Sequence, residues 1–399
     1  MSFFVFLLGV LSFLAVFTTI VFVHEMGHFL TARFLGFKVD VFSIGFGKPL
    51  LQWNDKHGTK WQISGIPLGG YVKFAGDSGA ASVPDSDTLQ EMKDGLDVEN
   101  NEYETTGIFH FMPVWKRALV TVAGPVMNFI FAILIFSILF MAFGKPYTHP
   151  VVGSVVAGGA AEEAGFLPDD RILSANGEEI ESFSRLAMIT SISARDPIRF
   201  IVLRGNQNVE IIAIPRPEIV TDPLGKQAEV GRLGIAGRPN PQVIMQNFNP
   251  LAAVIEASAE TKEIITDQIA FVGRLFRGKG TPEMLGGPLR IMYISGKVGA
   301  GDLGNEERAD TRDFWDRILG LIRLTAVLSV AIGLINLAPV PMLDGGHLVF
   351  YAYEAIFRRP LSERIQVFGF KIGLFAIFSL LAFATFNDLR YFNVFGFFG

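Results

Sequence analysis

Five consecutive residues, His24-Glu25-Met26-Gly27-His28, hold side chains whose types and spacing suit metal chemistry. On an α-helix, residues four apart share a face, so His24 and His28 can present two imidazoles to one cation. Glu25 projects beside them, where it can take a proton from an attacking water. This is the zincin arrangement, in which zinc acidifies water and a carboxylate positions it. The setting is unusual, because Ser2 to Val23 contain no Lys, Arg, Asp or Glu. His and Glu within a membrane-spanning helix are costly and mark function. A chance five-residue match is therefore the weaker reading.

A catalytic zinc takes three protein ligands and keeps one position open. His57, His110 and His149 lie in polar or loop contexts. A better source is NLAPVPMLDGGH, Asn336 to His347. Asp344 closes an apolar segment, where an isolated carboxylate needs a partner. Pro339 and Pro341 break the helix before it and free backbone groups beside the site. The competing reading of Asp344 is a turn or capping residue. His347 is the rival ligand, ranked lower because a turn at Gly345-Gly346 is expected to separate it from the helix. There is no Cys, which excludes disulfides and thiolate metal sites. For a His₂-carboxylate set, zinc is the expected metal.

The elements that must position these residues belong to a membrane protein. Half of the 399 residues are hydrophobic, 38 are Phe, and only 18% are charged, against about 25% in soluble proteins. The net charge of −5 gives no basic field for nucleic acid. Four apolar segments reach the roughly 20 residues a bilayer requires, and they set transmembrane helices at 1–37, 116–144, 317–347 and 368–388. The first is read as a retained helix and not a signal peptide, since it lacks a cationic start, a short core and a small-residue cleavage site. Lys116 and Arg117 precede the second helix. Arg358, Arg359, Arg364 and Lys371 lie between the third and fourth. By the positive-inside rule these flanks are cytoplasmic, and both termini and the region 144–317 lie outside. His24 then sits about 33 Å along its helix, at a depth comparable with Asp344 on the third.

Between the helices, 38–77 shows strand-like runs (VDVFSIGFG, PLLQWN, TKWQIS, GYVKFAG) with a hairpin turn at 54–58. The rest of the cytoplasmic loop, 78–115, starts acidic and rich in small residues, as a mobile loop would. Residues 149–238 alternate short strands with two helices, and GSVVAGGAAEEAGFLPDDRILSANGEEIESF resembles a circularly permuted bacterial PDZ domain. The linker 239–316 contains an amphipathic helix at 248–276, expected either on the outer membrane surface or packed on the preceding domain. Gly-rich stretches at 278–287 and 296–304 read as loops. A cytoplasmic loop (348–367) and a tail (389–399) complete the chain. The fold class is a multi-pass α-helical membrane protein with four spans, a β-hairpin loop and one α+β PDZ domain.

HEMGH (24–28), GFG (45–47), AGPVMNF (123–129), the PDZ stretch and NLAPVPMLDGG (336–346) occur in the order found in the site-2 protease family. The chain resembles these zinc intramembrane metalloproteases along almost its whole length, in particular the bacterial branch that regulates sigma-E. It departs in having one PDZ domain, where well-known enterobacterial members have two in tandem. The resemblance implies zinc bound by His24, His28 and Asp344, with Glu25 as general base. It implies that Asn336 hydrogen-bonds the substrate or its oxyanion; the alternative is a helix–helix hydrogen bond. Asn128 would face the catalytic region, or simply pack helices with Gly124. The 38–77 segment becomes a membrane-reentrant β-loop, in which Gly45 and Gly47 permit close approach of a substrate strand added to its edge; the alternative is a cytoplasmic cover. The PDZ domain would exclude bulky substrates or grip a newly exposed tail, or else act as a spacer.

The expected function is zinc-dependent endopeptidase action within transmembrane segments of single-pass proteins in the bacterial inner membrane. The expected partners are the lipid bilayer and substrates such as an anti-sigma factor already trimmed outside, or remnant signal peptides. A metal transporter and a proteolytically silent PDZ scaffold are the rivals. Transport has no evident need for Glu25 between two ligands, and a silent scaffold would show a broken motif.

Overall fold

Long apolar runs without caps become long helices. In the computed structural model, which describes residues 3–76, 107–221, 227–238, 244–277, 286–300 and 314–392, the first is α1, Phe3–Phe34. It is followed by strands β1, Val39–Asn54, and β2, Lys60–Phe74, and then by helix α2, Val114–Phe143. Four described helices are long and apolar enough to cross a membrane: Leu7–Phe34, Val114–Phe143, Phe314–Asn336 and Arg364–Tyr391. The chain forms two compact units. One comprises 1–136, 257–265 and 287–390; the other comprises 137–256, 266–286 and 391–399. The acidic stretch 77–106 and most of 278–287 lie outside the described residues.

In the first unit the four strand-like runs merge into two strands that pair in two registers. Residues 41–44 of β1 face Gly70–Lys73 on one side and Lys60–Ile63 on the other, while 49–54 pair with 60–64. Segment 39–44 is thus central, and 70–74 forms an edge. The bend in β1 falls at Gly45 and Gly47, both at φ +87°, where a side chain would be strained. The turn is fixed by Asp55, whose carboxylate accepts from the backbone of His57 and Thr59 and from Arg33 at the end of α1. Phe42, fully buried, packs against Phe22, Phe29 and Trp61 and ties the sheet to α1.

The third apolar segment ends earlier than expected. Helix α7, Phe314–Asn336, stops because Pro339 and Pro341 have no N–H for the carbonyls four residues back. Residues 337–343 are irregular, with Met342 at φ +92°, and Asp344 opens a new helix, α8, Asp344–Phe357. Asp344 is therefore the first residue of a separate helix, and 348–357 is helical where a loop was expected. Gly345 and Gly346 lie in the first turn of α8 and do not separate His347 from it. Side chains there would strike the carbonyls of Leu337, Ala338 and Val340. Helix α6, Pro288–Ala300, likewise includes 296–300, expected as loop. Helix α9, Glu363–Tyr391, carries the buried Asp388, which accepts from Gly287 and Arg290 N–H at 2.9 and 3.0 Å and caps α6.

The second unit contains β3 (Lys145–Tyr147), β4 (Val152–Val155), helix α3 (Ala160–Ala164), β5 (Arg171–Ala175), β6 (Glu178–Glu179), α4 (Phe183–Ile192), β7 (Ile198–Arg204) and β8 (Gln207–Ala213). The pairs β9 (Arg216–Thr221) with β10 (Gln227–Arg232), β11 (Ile235–Gly237) with β4, and β12 (Ile244–Gln246) with β3 follow. Its main sheet has the order β6-β5-β7-β8. Ile198, Phe200 and Val202 alternate inward from β7 and meet Ile172 and Leu186 in the core. Helix α4 is capped by Ser182, whose Oγ accepts from Arg185 N–H. Helix α5, Pro250–Phe276, is tied to this domain by Asp267–Arg185 and by Arg274–Asp196, which favours packing on the domain for its second half.

One buried pair in this unit makes a measurable prediction. The Asp170 carboxylate is fully buried and accepts both Nε and NH2 of Arg204 at 2.8 Å, and Leu167 N–H at 2.9 Å. Burial alone would raise its pKa, but these bonds outweigh burial and hold it below the ordinary 3.8. A depressed carboxyl stabilises the fold above its unfolded pKa, and that contribution is lost as pH falls through the folded value. Asp170→Ala should cost about 3 kcal/mol, the low end for a broken buried pair because Arg204 is partly exposed. Thermal unfolding should show that cost at pH 7 and a smaller one as the pH drops below 3.8.

Candidate active site

Helix α1 carries the two histidines one turn apart, with ring centroids 4.8 Å apart. Their Nε2 atoms lie 3.2 Å from each other. Asp344 Oδ2 lies 3.1 Å from His24 Nε2 and 3.5 Å from His28 Nε2. These three are the group of candidate metal-ligating side chains found among the described residues. Thus the most distant of the sequence-proposed ligands is brought to the other two. His347 lines the same cavity, but its ring packs among Phe350, Tyr351 and Phe370.

The donor set fits zinc. His28 Nδ1 donates to the Val120 carbonyl at 2.8 Å, which leaves a lone pair on Nε2. His24 Nδ1 faces Asn128 Nδ2 at 3.3 Å, and the buried Asn128 Oδ1 has no partner. The amide ends are assigned by the network. With the Asn128 oxygen turned to His24, Nδ1 donates and Nε2 again carries a lone pair. Asp344 Oδ2 is buried and has no hydrogen-bond donor. Three lone pairs then converge with no proton between them, an arrangement that a cation satisfies. Tetrahedral zinc with bonds of about 2.0–2.1 Å has ligand–ligand edges of about 3.3–3.4 Å, close to the separations found.

Helix α2 admits the rings through Gly124, where a Cβ would strike both imidazoles. Asn128 is fully buried and holds His24; it is not placed as a substrate-contacting residue. Asn336, at the end of α7, directs its amide nitrogen toward the three candidate ligands, 3.3 Å from His24 Nε2.

Glu25 opens onto a cavity of about 360 Å³ walled by both histidines, Asp344, Asn336 and the edge of β2. The Val72 backbone N–H donates to the Glu25 carboxylate. Because strand groups alternate, the N–H and C=O of Gly70 point the same way as those of Val72, away from β1. The cavity wall is Gly69, Gly70, Tyr71 and Val72; Gly45 and Gly47 serve the bend inside the sheet. A Cβ on Gly70 would meet Glu25 Cγ at 3.1 Å. Tyr71 is braced by Gln62, whose Nε2 also reaches Ser43 and Ser64. Sequence reasoning named Gly124 only as a helix-packing residue, and missed Gly70 and the Val120 carbonyl. The Gly69-Gly70 pair inside a strand was the available signal, since glycine there marks close approach.

The sequence profile of peptidase family M50 matches residues 12–380. The chain is 40% identical over 398 residues to metalloprotease MmpA of Caulobacter vibrioides, covering 99% of this chain and 98% of that one. It is 40% identical over 388 residues to mll0638 of Mesorhizobium japonicum, covering 96% and 99%. It is 41% identical over 381 residues to Atu1380 of Agrobacterium fabrum, covering 95% of each. The last two carry names as zinc metalloproteases.

Proposed function

Since the chain belongs to peptidase family M50 and is a membrane-embedded zinc metalloprotease, we propose that it cuts peptide bonds within the transmembrane segments of single-pass proteins. The observation that carries this reading is the position of Glu25 and the histidines inside the apolar helix Leu7–Phe34, facing a cavity bounded by a strand edge. His24, His28 and Asp344 would hold the metal. When bound, zinc supplies a Lewis acid that polarises a carbonyl and acidifies water. Glu25 accepts the proton of the attacking water and returns it to the leaving amine. The Asn336 amide donates to the developing oxyanion. The outward groups of Gly70 bind the substrate as an added strand, replacing the helical hydrogen bonds that a substrate must give up in lipid.

The flanking cations at Lys116, Arg358, Arg359 and Arg364 support an inner-membrane protein with the catalytic end toward the cytoplasm and both termini outside. Residues 149–238 act as a PDZ domain on the outer side that filters or grips substrates. An anti-sigma factor trimmed outside is the favoured substrate class, and remnant signal peptides the second. The test uses purified protein in detergent with a designed single-pass substrate. Chelation should stop cleavage and added zinc restore it; cleavage that persists in zinc-free protein would refute the reading.

A further inference from the structure

Of the three ligands, Asp344 has the least local support. His24 and His28 sit within a continuous helix of 32 residues. Asp344 begins a helix of 14 residues, and the chain before it is irregular and passes through Met342 at φ +92°. Something beyond this segment must fix α8. Arg117, buried near the start of α2, donates NH2 to Glu354 Oε1 at 2.6 Å. Its Nε donates to the Met112 carbonyl at 3.0 Å, and its guanidinium lies 5.1 Å from the centre of the Tyr351 ring. Tyr351 lies two turns after Asp344 and lines the catalytic cavity, and Glu354 follows one turn later. The same helix, α2, orients His28 through the Val120 carbonyl and His24 through Asn128.

We propose that Arg117 is a positioning residue of the metal centre: its clamp on Tyr351 and Glu354 sets α8, and so the Asp344 carboxylate, against His24 and His28. Helix α2 then holds His24 and His28 directly and Asp344 through α8. The pair is well suited to this, since its side chains are only 10% and 18% exposed. Loss of either partner leaves a mostly buried charge unpaired, and α8 must shift to solvate it. A flexible surface pair would transmit no such constraint.

The proposal rests on the reading of Asp344 as a ligand, so Asp344→Asn is measured in parallel. The full chain in detergent is titrated with zinc against a chromophoric chelator, as wild type, Arg117→Met, Glu354→Gln and Lys145→Met. The last breaks the Lys145–Glu256 pair in the other unit and controls for general destabilisation. Arg117→Met and Glu354→Gln should each lower zinc affinity about 10-fold, the low end for outer-shell partners because neither touches a ligand itself, and the double variant should fall little further. Arg117→Lys should recover part of the loss, and Lys145→Met should bind as wild type. Wild-type affinity in Glu354→Gln, which keeps the side-chain shape, would overturn the proposal even if Arg117→Met failed to fold. An equal loss in Lys145→Met would also overturn it. If Asp344→Asn alone bound zinc normally, the ligand assignment would be at fault; if it lost zinc while the clamp variants kept it, only the clamp would be.

Discussion

Glu25→Gln is expected to abolish cleavage and leave the zinc in place. The amide matches the carboxylate in size and can still accept the Val72 N–H, so the β2 edge keeps its position. The candidate metal ligands His24, His28 and Asp344 are untouched. What disappears is the only carboxylate that lines the cavity besides Asp344 among the described residues, and with it the acceptor for the water proton. General acid–base catalysis contributes about 10²–10⁴-fold, and a loss of that size should appear in single-turnover rates at saturating zinc. Metal content measured on the same sample separates this from ligand loss. Cleavage at the wild-type rate would mean that another group takes the proton.

Asp344→Asn is expected to have its largest effect on zinc itself. The substitution removes the charge that two neutral imidazoles cannot replace, and a neutral amide is a poorer partner for a dication. Outer-shell changes cost about 10- to 100-fold in metal affinity; loss of a direct anionic ligand should exceed that range. Zinc retained after dialysis is the readout. Full occupancy in this variant would move the third ligand to His347, one turn along α8 and on the wall of the same cavity.

The two halves of the metal set differed in how far sequence could reach them. The pair His24 and His28 follows from helical spacing alone, because the relation is local. Asp344 could be reached because an isolated carboxylate at an apolar end demands a partner, and parallel helix directions put it at similar depth. The helix it belongs to was misjudged, since apolar residues continue past Asn336 while Pro339 and Pro341 remove the hydrogen bonds that would have continued the helix. In 38–77 the alternating runs revealed strands but not the second register, which depends on a bend at Gly45 and Gly47. The placement of Gly45 and Gly47 at a substrate-facing edge followed from that gap, and the cavity is walled instead by Gly69 to Val72. The Val120 carbonyl that orients His28 was beyond reach, because every residue carries the same backbone acceptor and only packing selects one.

The position of the cut bears most directly on the central claim. A single-pass substrate, reconstituted with the purified protein in lipid vesicles, would be digested and its fragments weighed by mass spectrometry. Cleavage between two residues of the substrate's apolar segment, dependent on zinc and absent with Glu25→Gln, is the predicted result. Cleavage confined to the polar flanks, with the apolar segment left whole, would contradict it.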